Sequence, residues 1–411
     1  MYRRIEHWWF SFLILAILCC IGPVANGDVV SDCNIHACKI IADAKPGTPA
    51  ANRALAILHT AVYEAANAIT NKYPAGEFQV KAAPGSSIDA AVAAASHEVL
   101  AKLLPSQAAA IDKDYQATLA GIPDGAAKTA GIETGVSAAA AVLKVRMDDG
   151  AATPEAYRPS TTAGVYVPTV IPAFPQWPHR KPWLMTSAAQ FRPGPPPALG
   201  SSRWARDFDE IKTIGAKSSS SRSEEQTKIA RFWEATLPGI YHGVVRSVAD
   251  QPGRDLTQNA RLFAAIGQAM DDAIIAVFDA KYFYNFWRPI TAIRNADIDG
   301  NDATARDSTW TPFIETPMHP EYPCAHCIVA AAVCAVLKAE IGSNPLPTLT
   351  TTSPTAEGAS RSWTKIDDFV QEVANARIYD GVHYRNSTEV GTAMGIEIGK
   401  LAAAKFLQPG K

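Results

Sequence analysis

Neither sign of charge dominates this chain: 38 Lys and Arg stand against 40 Asp and Glu in 411 residues. No basic stripe and no long run of like charge occurs, which argues against a nucleic-acid partner. Beyond the first 27 residues no stretch is long and apolar enough to cross a bilayer. No segment longer than a few residues alternates with the period of a strand, and no repeat of 20 to 50 residues stands out. Cysteine is scarce, with seven in all. There is one Cys-x-x-Cys, Cys324 to Cys327. No second pair of ligands has that spacing, which excludes the usual four-ligand zinc site.

What is present begins with an expected targeting segment, residues 1–27. Arg3 and Arg4 precede an apolar run from Trp8 to Ile21, and Ala25-Asn26-Gly27 supplies small residues before a mature start at Asp28. An uncleaved anchor is the alternative. Secretory routing permits disulfides. Cys33 and Cys38, close together near the mature start, are the expected bridge, and Cys324 is expected as a free thiol facing the site described below. Asn386-Ser387-Thr388 is the one glycosylation sequon and is expected unmodified, because a glycan there would crowd the same site.

The rest reads as all-α, a helical bundle. Ala51–Ile69, Ile88–Leu104, Gln107–Leu119 and Ala126–Met147 are Ala-rich with apolar residues at helical spacing. Together with a proline-rich stretch, Ala151 to Pro197, they make an N-terminal half, residues 28–200. That stretch carries Tyr157, Tyr166, Phe174, Trp177 and Trp183, too many aromatics for a linker, and is expected to wrap the bundle as an ordered loop. The C-terminal half, residues 201–411, contains two expected surface turns, Lys217–Glu225 and Asn344–Ser360.

Three stretches of that half seat cationic or proton-active residues at helix ends. In the first, Leu256 to Phe286 has helical spacing, and Lys281 and Arg288, seven apart, are expected on one helix face, with Pro289 closing the helix. In the second, Pro323-Cys324-Ala325-His326 turns into an apolar helix, Ile328–Ile341, whose N-terminus offers free amides and partial positive charge. In the third, Phe369–Tyr379 is helical, and Arg377 and His383 flank Gly381, a natural C-cap. Each alone has an ordinary explanation, as a snorkelling Lys, an incidental His or a structural Arg. Together they supply three permanent cations and two His to one pocket, an arrangement that needs a multiply charged anion between the cations. Phosphate and its analogue vanadate qualify.

These stretches resemble the three signature motifs of the type 2 phosphatidic acid phosphatase and vanadium haloperoxidase superfamily. The first matches at Lys281, Arg288 and Pro289, the second at Pro323 and His326, and the third at Arg377, Gly381 and His383. The flanking His319-Pro320-Glu321-Tyr322-Pro323 and the upstream Leu58–Glu64 segment resemble the soluble haloperoxidase branch more than the lipid phosphatases.

The resemblance implies a helical bundle of the acid phosphatase and vanadium haloperoxidase type, with vanadate as cofactor. His383 would be the axial ligand to vanadium, or the nucleophile of a phosphatase. His326 would be the acid–base residue. Lys281, Arg288 and Arg377 would bind the cofactor oxygens, with Cys324 and Ala325 beside them. His319 stands where bromoperoxidases carry His and would tune the site from outside the first shell of contacts.

The implied reactants are hydrogen peroxide and a halide, bromide favoured, or a small organic substrate; a homo-oligomer is compatible with the resemblance. Cys324 replaces the usual Ser, Ala325 the usual Gly, and Ser387 the Asp that orients the nucleophile in the phosphatases. The last departure weighs against an acid phosphatase acting on soluble phosphomonoesters, the second reading. A non-catalytic oxyanion-binding protein is the third.

Overall fold

The computed structural model describes residues 27–407, so the expected targeting segment lies outside the described residues except for Gly27. Asp28 opens the first helix by accepting the Val30 and Ser31 amides on its carboxylate, at 3.1 and 3.0 Å. Thirteen α-helices and one hairpin follow among the described residues. The first five helices are α1 (Val29–Ala44), α2 (Thr48–Thr70), α3 (Ile88–Leu103), α4 (Ala108–Ala120) and α5 (Ala126–Arg146). After the proline-rich wrap come α6 (Ser202–Ile214), α7 (Glu224–Trp233), α8 (Gly239–Ala249), α9 (Leu256–Tyr284) and α10 (Pro289–Arg294). The chain ends with α11 (Ala325–Ile341), the strands β1 (Leu349–Thr352) and β2 (Ser360–Trp363), α12 (Ile366–Tyr379) and α13 (Arg385–Phe406). The architecture is all-α, as the sequence implies.

Helix α9 is the axis of the molecule. Its 29 residues span about 44 Å at 1.5 Å per residue, and it is apolar almost all round, the mark of a buried helix. It packs against α2 on one side and against α11 and α13 on the other. Helix α13 approaches α11 along Gly391, Gly395 and Gly399. A Cβ at Gly395 would lie 2.1 Å from the Ile328 carbonyl oxygen, and one at Gly391 would lie 2.6 Å from that of Cys324. Backbone therefore touches backbone at the start of α11, which fixes one wall of the site.

The wrap between α5 and α6 is ordered because α9 holds it by charge. Arg180, fully buried, donates to both oxygens of Asp271 (2.6 and 3.0 Å) and to Asp149 (2.6 Å). Asp149 also receives Arg53 from α2 at 2.9 Å. The neighbouring Asp272 accepts three successive wrap amides, from Trp183, Leu184 and Met185, at 2.7 to 3.0 Å. Breaking a buried pair leaves an uncompensated charge, worth about 3–5 kcal/mol. Asp271→Ala should therefore lower the unfolding free energy by roughly that amount, measured by urea denaturation; a loss below about 1 kcal/mol, the range of surface pairs, would contradict the assignment.

Four expectations need correcting. Cys33 and Cys38 both lie inside α1 and are free. Five helical residues separate side chains by about 140° and about 7.5 Å of rise, beyond disulfide reach. Helix α9 stops at Tyr284, because Asn285 takes a left-handed conformation at φ 51°. The chain from 285 to 287 then pairs with the wrap, through Tyr166 N–H to the Asn285 carbonyl (2.7 Å) and Trp287 N–H to the Gly164 carbonyl (3.0 Å). Arg288 is thus the N-cap of α10 and does not share a helix face with Lys281, and Pro289 begins a helix instead of ending one. Finally, residues 344–360 are more than a turn: Leu349–Thr352 pairs antiparallel with Ser360–Trp363.

Candidate active site

The site is built from the ends of α9 and α12, the starts of α10 and α11, and the loop 319–323. At the heart of it lies His383, about 1% exposed. Gly381, at φ +78°, reverses the chain after α12, and the His383 amide then donates back to the Arg377 carbonyl at 3.2 Å. Its Nδ1 lies 2.8 Å from Glu321 Oε1. A carboxylate accepts, so Nδ1 carries the proton and Nε2 keeps its lone pair. Arg288 NH1 lies 3.4 Å from that Nε2. Burial, then Arg288, Lys281 and Arg377, hold the His383 ring well below its ordinary pKa. A neutral, oriented imidazole nitrogen is what an axial ligand or a nucleophile requires.

The cations surround it. Arg288 donates through Nε to the His319 carbonyl (2.9 Å), through NH1 to the Val382 carbonyl (2.8 Å) and through NH2 to His319 Nδ1 (3.0 Å). His319 Nδ1 also lies 3.1 Å from the Pro320 carbonyl, so either tautomer of this ring finds a partner there. Lys281 is fully buried, with Nζ on the carbonyls of Pro320 (2.9 Å) and Glu321 (2.7 Å). Burial first, then Arg288, drive its pKa well below the usual lysine value. Arg377 donates through NH1 to the Trp233 carbonyl (2.9 Å) and to Asp380 (2.7 Å), while its buried Nε has no partner.

Cys324 is the N-cap of α11, and its sulfur accepts the Cys327 amide at 3.3 Å. It is a free, buried thiol packed with Cys327 and Ala374, and it does not line the cavity. The adjoining Ala325 and His326 do. His326 Nε2 lies 3.1 Å from the Ala235 carbonyl, which leaves Nδ1 for the cavity. Burial, then Arg377, keep its pKa well below normal. His319, Arg377 and His383 complete the inner end of this cavity of about 420 Å³. Its outer walls are Phe174 of the wrap, Ile274 and Phe278 of α9, and the segment Ile314–Met318. Lys281 and Arg288 lie behind its inner end and reach it through the carbonyls and His side chains they hold.

Two acids were not found from sequence. Glu321, fully buried, accepts His383 Nδ1–H and the Tyr384 amide (3.1 Å), and burial pushes its pKa up to about 7. Asp380, also fully buried and raised to about 7 by burial, pairs with Arg377. These two acids are set against Lys281, Arg288 and Arg377. Ser387, in the place of the phosphatase Asp, lies 3.4 Å from His383 Nδ1. Glu321 thus holds the imidazole in the way that Asp would. No motif signals it, since it lies 62 positions from the residue it orients.

These residues fit an oxyanion. The Arg377 Nε–H is orphaned, the Ala325 and His326 amides are free as at any helix start, the Tyr241 hydroxyl on the cavity wall has no partner, and His383 Nε2 offers a lone pair.

The structure is an all-α bundle with Lys281, Arg288 and Arg377 gathered around an oriented imidazole. The comparisons with known proteins agree. Residues 261–409 match the family described as the VCPO second helical-bundle domain. A vanadium chloroperoxidase of Curvularia inaequalis is 27% identical over 179 residues, covering 36% of this chain and 29% of that protein, so the match spans under a third of that relative. Among solved structures, a bacterial vanadium-dependent iodoperoxidase superposes with a TM-score of 0.79 at 24% identity, over 93% of this chain and 98% of that one. A bacterial vanadium-dependent chloroperoxidase does so with 0.68 at 20% identity, over 87% and 92%. The structures establish the shared fold, and residues 261–409 carry the likeness to the VCPO second helical-bundle domain.

Proposed function

We propose that this chain is a vanadate-dependent peroxidase that uses hydrogen peroxide to oxidise a halide, or a small organic molecule in its place. The observation that carries the reading is His383: neutral, pinned through Nδ1 by Glu321, with Nε2 open beside Arg288 and the start of α11. His383 Nε2 would bind vanadate, and Lys281, Arg288 and Arg377 would hold its oxygens, with the amides at Ala325 and His326. Bound vanadate supplies the Lewis acidity that activates peroxide.

The remaining work falls to the chain. His326 Nδ1 takes a proton from incoming peroxide and returns it to the departing oxygen. The apolar walls Phe174, Ile274 and Phe278 limit water around the reacting atoms. His319, held by Arg288, lines the cavity and would favour bromide as donor. Initial rates with iodide, bromide and chloride test that preference; a rate with chloride above that with bromide would remove it. Entry into the secretory pathway, through residues 1–27, belongs to the same proposal, and N-terminal sequencing of the mature protein beginning at Asp28 would support it.

Glu321→Gln keeps the shape but removes the charge behind His383. Groups that support a metal ligand in this way are typically worth about 10–100-fold in affinity or activity, so Glu321→Gln should weaken vanadate binding by about that factor. Ser387→Ala should change it by no more than a few-fold. The reverse ranking would show that Ser387, not Glu321, orients the imidazole.

Glu321 also favours a second reading. Because it supplies the orienting carboxylate, the missing Asp at position 387 no longer counts against an acid phosphatase with His383 as nucleophile. The experiment that separates the two measures vanadium content and halide-dependent peroxide consumption of the vanadate-loaded protein, beside phosphomonoester hydrolysis by the vanadate-free protein.

A further inference from the structure

Cys324 and Cys327 are three apart in the first turn of α11, the N-cap and the third helical residue. Residues at this spacing on a helix have Cβ atoms about 5–6 Å apart, and a disulfide needs about 3.5–4.5 Å; Cys324, as the extended N-cap, closes that gap with a small shift of a residue outside the helix proper. The two side chains share a small buried cluster with Ala374, and the Cys324 sulfur already accepts the Cys327 amide. Cys334, two helical turns beyond Cys327, is out of reach, and no group of His, Cys, Asp and Glu that could hold a metal ion includes the pair among the described residues. The pair therefore has only itself as a sulfur partner. Its surroundings are those that activate a Cys-x-x-Cys: a helix N-terminus, with Arg377 and Lys281 nearby.

We propose that Cys324 and Cys327 are a redox-active dithiol, oxidised by peroxide to an intramolecular disulfide behind the wall of the oxyanion site. Peroxide, little larger than water, would reach Cys324 from the inner end of the cavity, where the next two residues, Ala325 and His326, are part of the wall. The Cys324 thiolate attacks one peroxide oxygen. An S–O bond forms, the O–O bond breaks, and hydroxide leaves, taking up the thiol proton as water. The Cys327 sulfur then attacks Cys324, forming the S–S bond and releasing the second oxygen as water. Two thiols and one hydrogen peroxide give one disulfide and two waters; each sulfur gives up one electron and peroxide takes two. An external dithiol reverses the step.

The roles are unequal in the right sense. Burial raises both thiols, but the Cys327 sulfur, Arg377 and the Cys327 amide together draw Cys324 below its ordinary value, while Cys327 is pushed well above by burial and by Cys324. Cys324 is the attacking thiol and Cys327 the resolving one.

The inference borrows from the preceding reading only that peroxide enters this cavity. Its test uses vanadate-free protein, so its failure leaves the peroxidase reading standing, and failure of that reading leaves this one standing. Whole, reduced protein is treated with one equivalent of hydrogen peroxide and examined by intact mass and tandem mass spectrometry. The expected result is loss of two hydrogens with a Cys324–Cys327 bridge, undone by dithiothreitol and retained in Cys334→Ser. In Cys327→Ser, Cys324 should instead be trapped by dimedone as the sulfenic acid, and in Cys324→Ser neither product should form. No mass loss in folded wild-type protein, a bridge to another cysteine, or bridging only with diamide and not with peroxide would each overturn the proposal.

Discussion

His383→Ala should abolish tight vanadate binding. The substitution removes the Nε2 lone pair that would bind the oxyanion, and leaves Glu321 buried without its imidazole partner. Groups that merely support a metal ligand are typically worth about 10–100-fold, so loss of the ligand itself should weaken binding by more than about 100-fold. Equilibrium dialysis against vanadate reads this directly. Phosphate should compete in the wild type, because the cations, the free amides and the orphaned Arg377 Nε–H serve either anion. Undiminished vanadate binding by His383→Ala, with its folding confirmed by circular dichroism, would place the cofactor elsewhere.

His326→Ala should leave vanadate bound and slow turnover by about 10²–10⁴-fold, the usual share of general acid–base catalysis. The two histidines have different tasks. His383 is locked by Glu321 and Arg288, whereas His326 is tied only through Nε2 to the Ala235 carbonyl and keeps Nδ1 on the cavity. Burial and the nearby Arg377 keep His326 neutral, so its Nδ1 is ready to accept a proton without first losing one. Parallel measurement of vanadium content and of kcat separates the effects. If His326→Ala lost the cofactor and the rate together, His326 would be a binding residue.

Much of the bundle was legible because its helices carry their own period. Helices α2 to α5 start and stop within a few residues of where alanine-rich, apolar spacing puts them, and α11 and α12 follow the same rule. Of the motif residues, His326, Arg377 and His383 line one cavity, while Lys281 and Arg288 stand behind it on the backbone carbonyls they hold. The left-handed Asn285 and the pairing of 285–287 with the wrap carry Arg288 off α9. A left-handed asparagine is permitted by its short polar side chain but not announced by it.

The other surprises are long-range. Asp271 and Asp272 read as polar positions on an apolar helix until Arg180 and the amides of 183–185 arrive from nearly 90 residues away. Glu321 reads as one more loop acid until the turn at Gly381 sets His383 against it. Helical periodicity reports which face is buried; it does not report which charge waits there.

The most direct test of the central claim is halide-dependent consumption of hydrogen peroxide by wild-type protein, first freed of vanadate and then titrated with it, beside hydrolysis of p-nitrophenyl phosphate by the same vanadate-free sample. Activity should be absent at first, rise with vanadate to saturate at one equivalent per chain, and fall when phosphate is added, with no appreciable phosphatase activity. Peroxide consumption that ignores vanadate, together with phosphomonoester hydrolysis that His383→Ala stops, would contradict the account and make this pocket a phosphatase site.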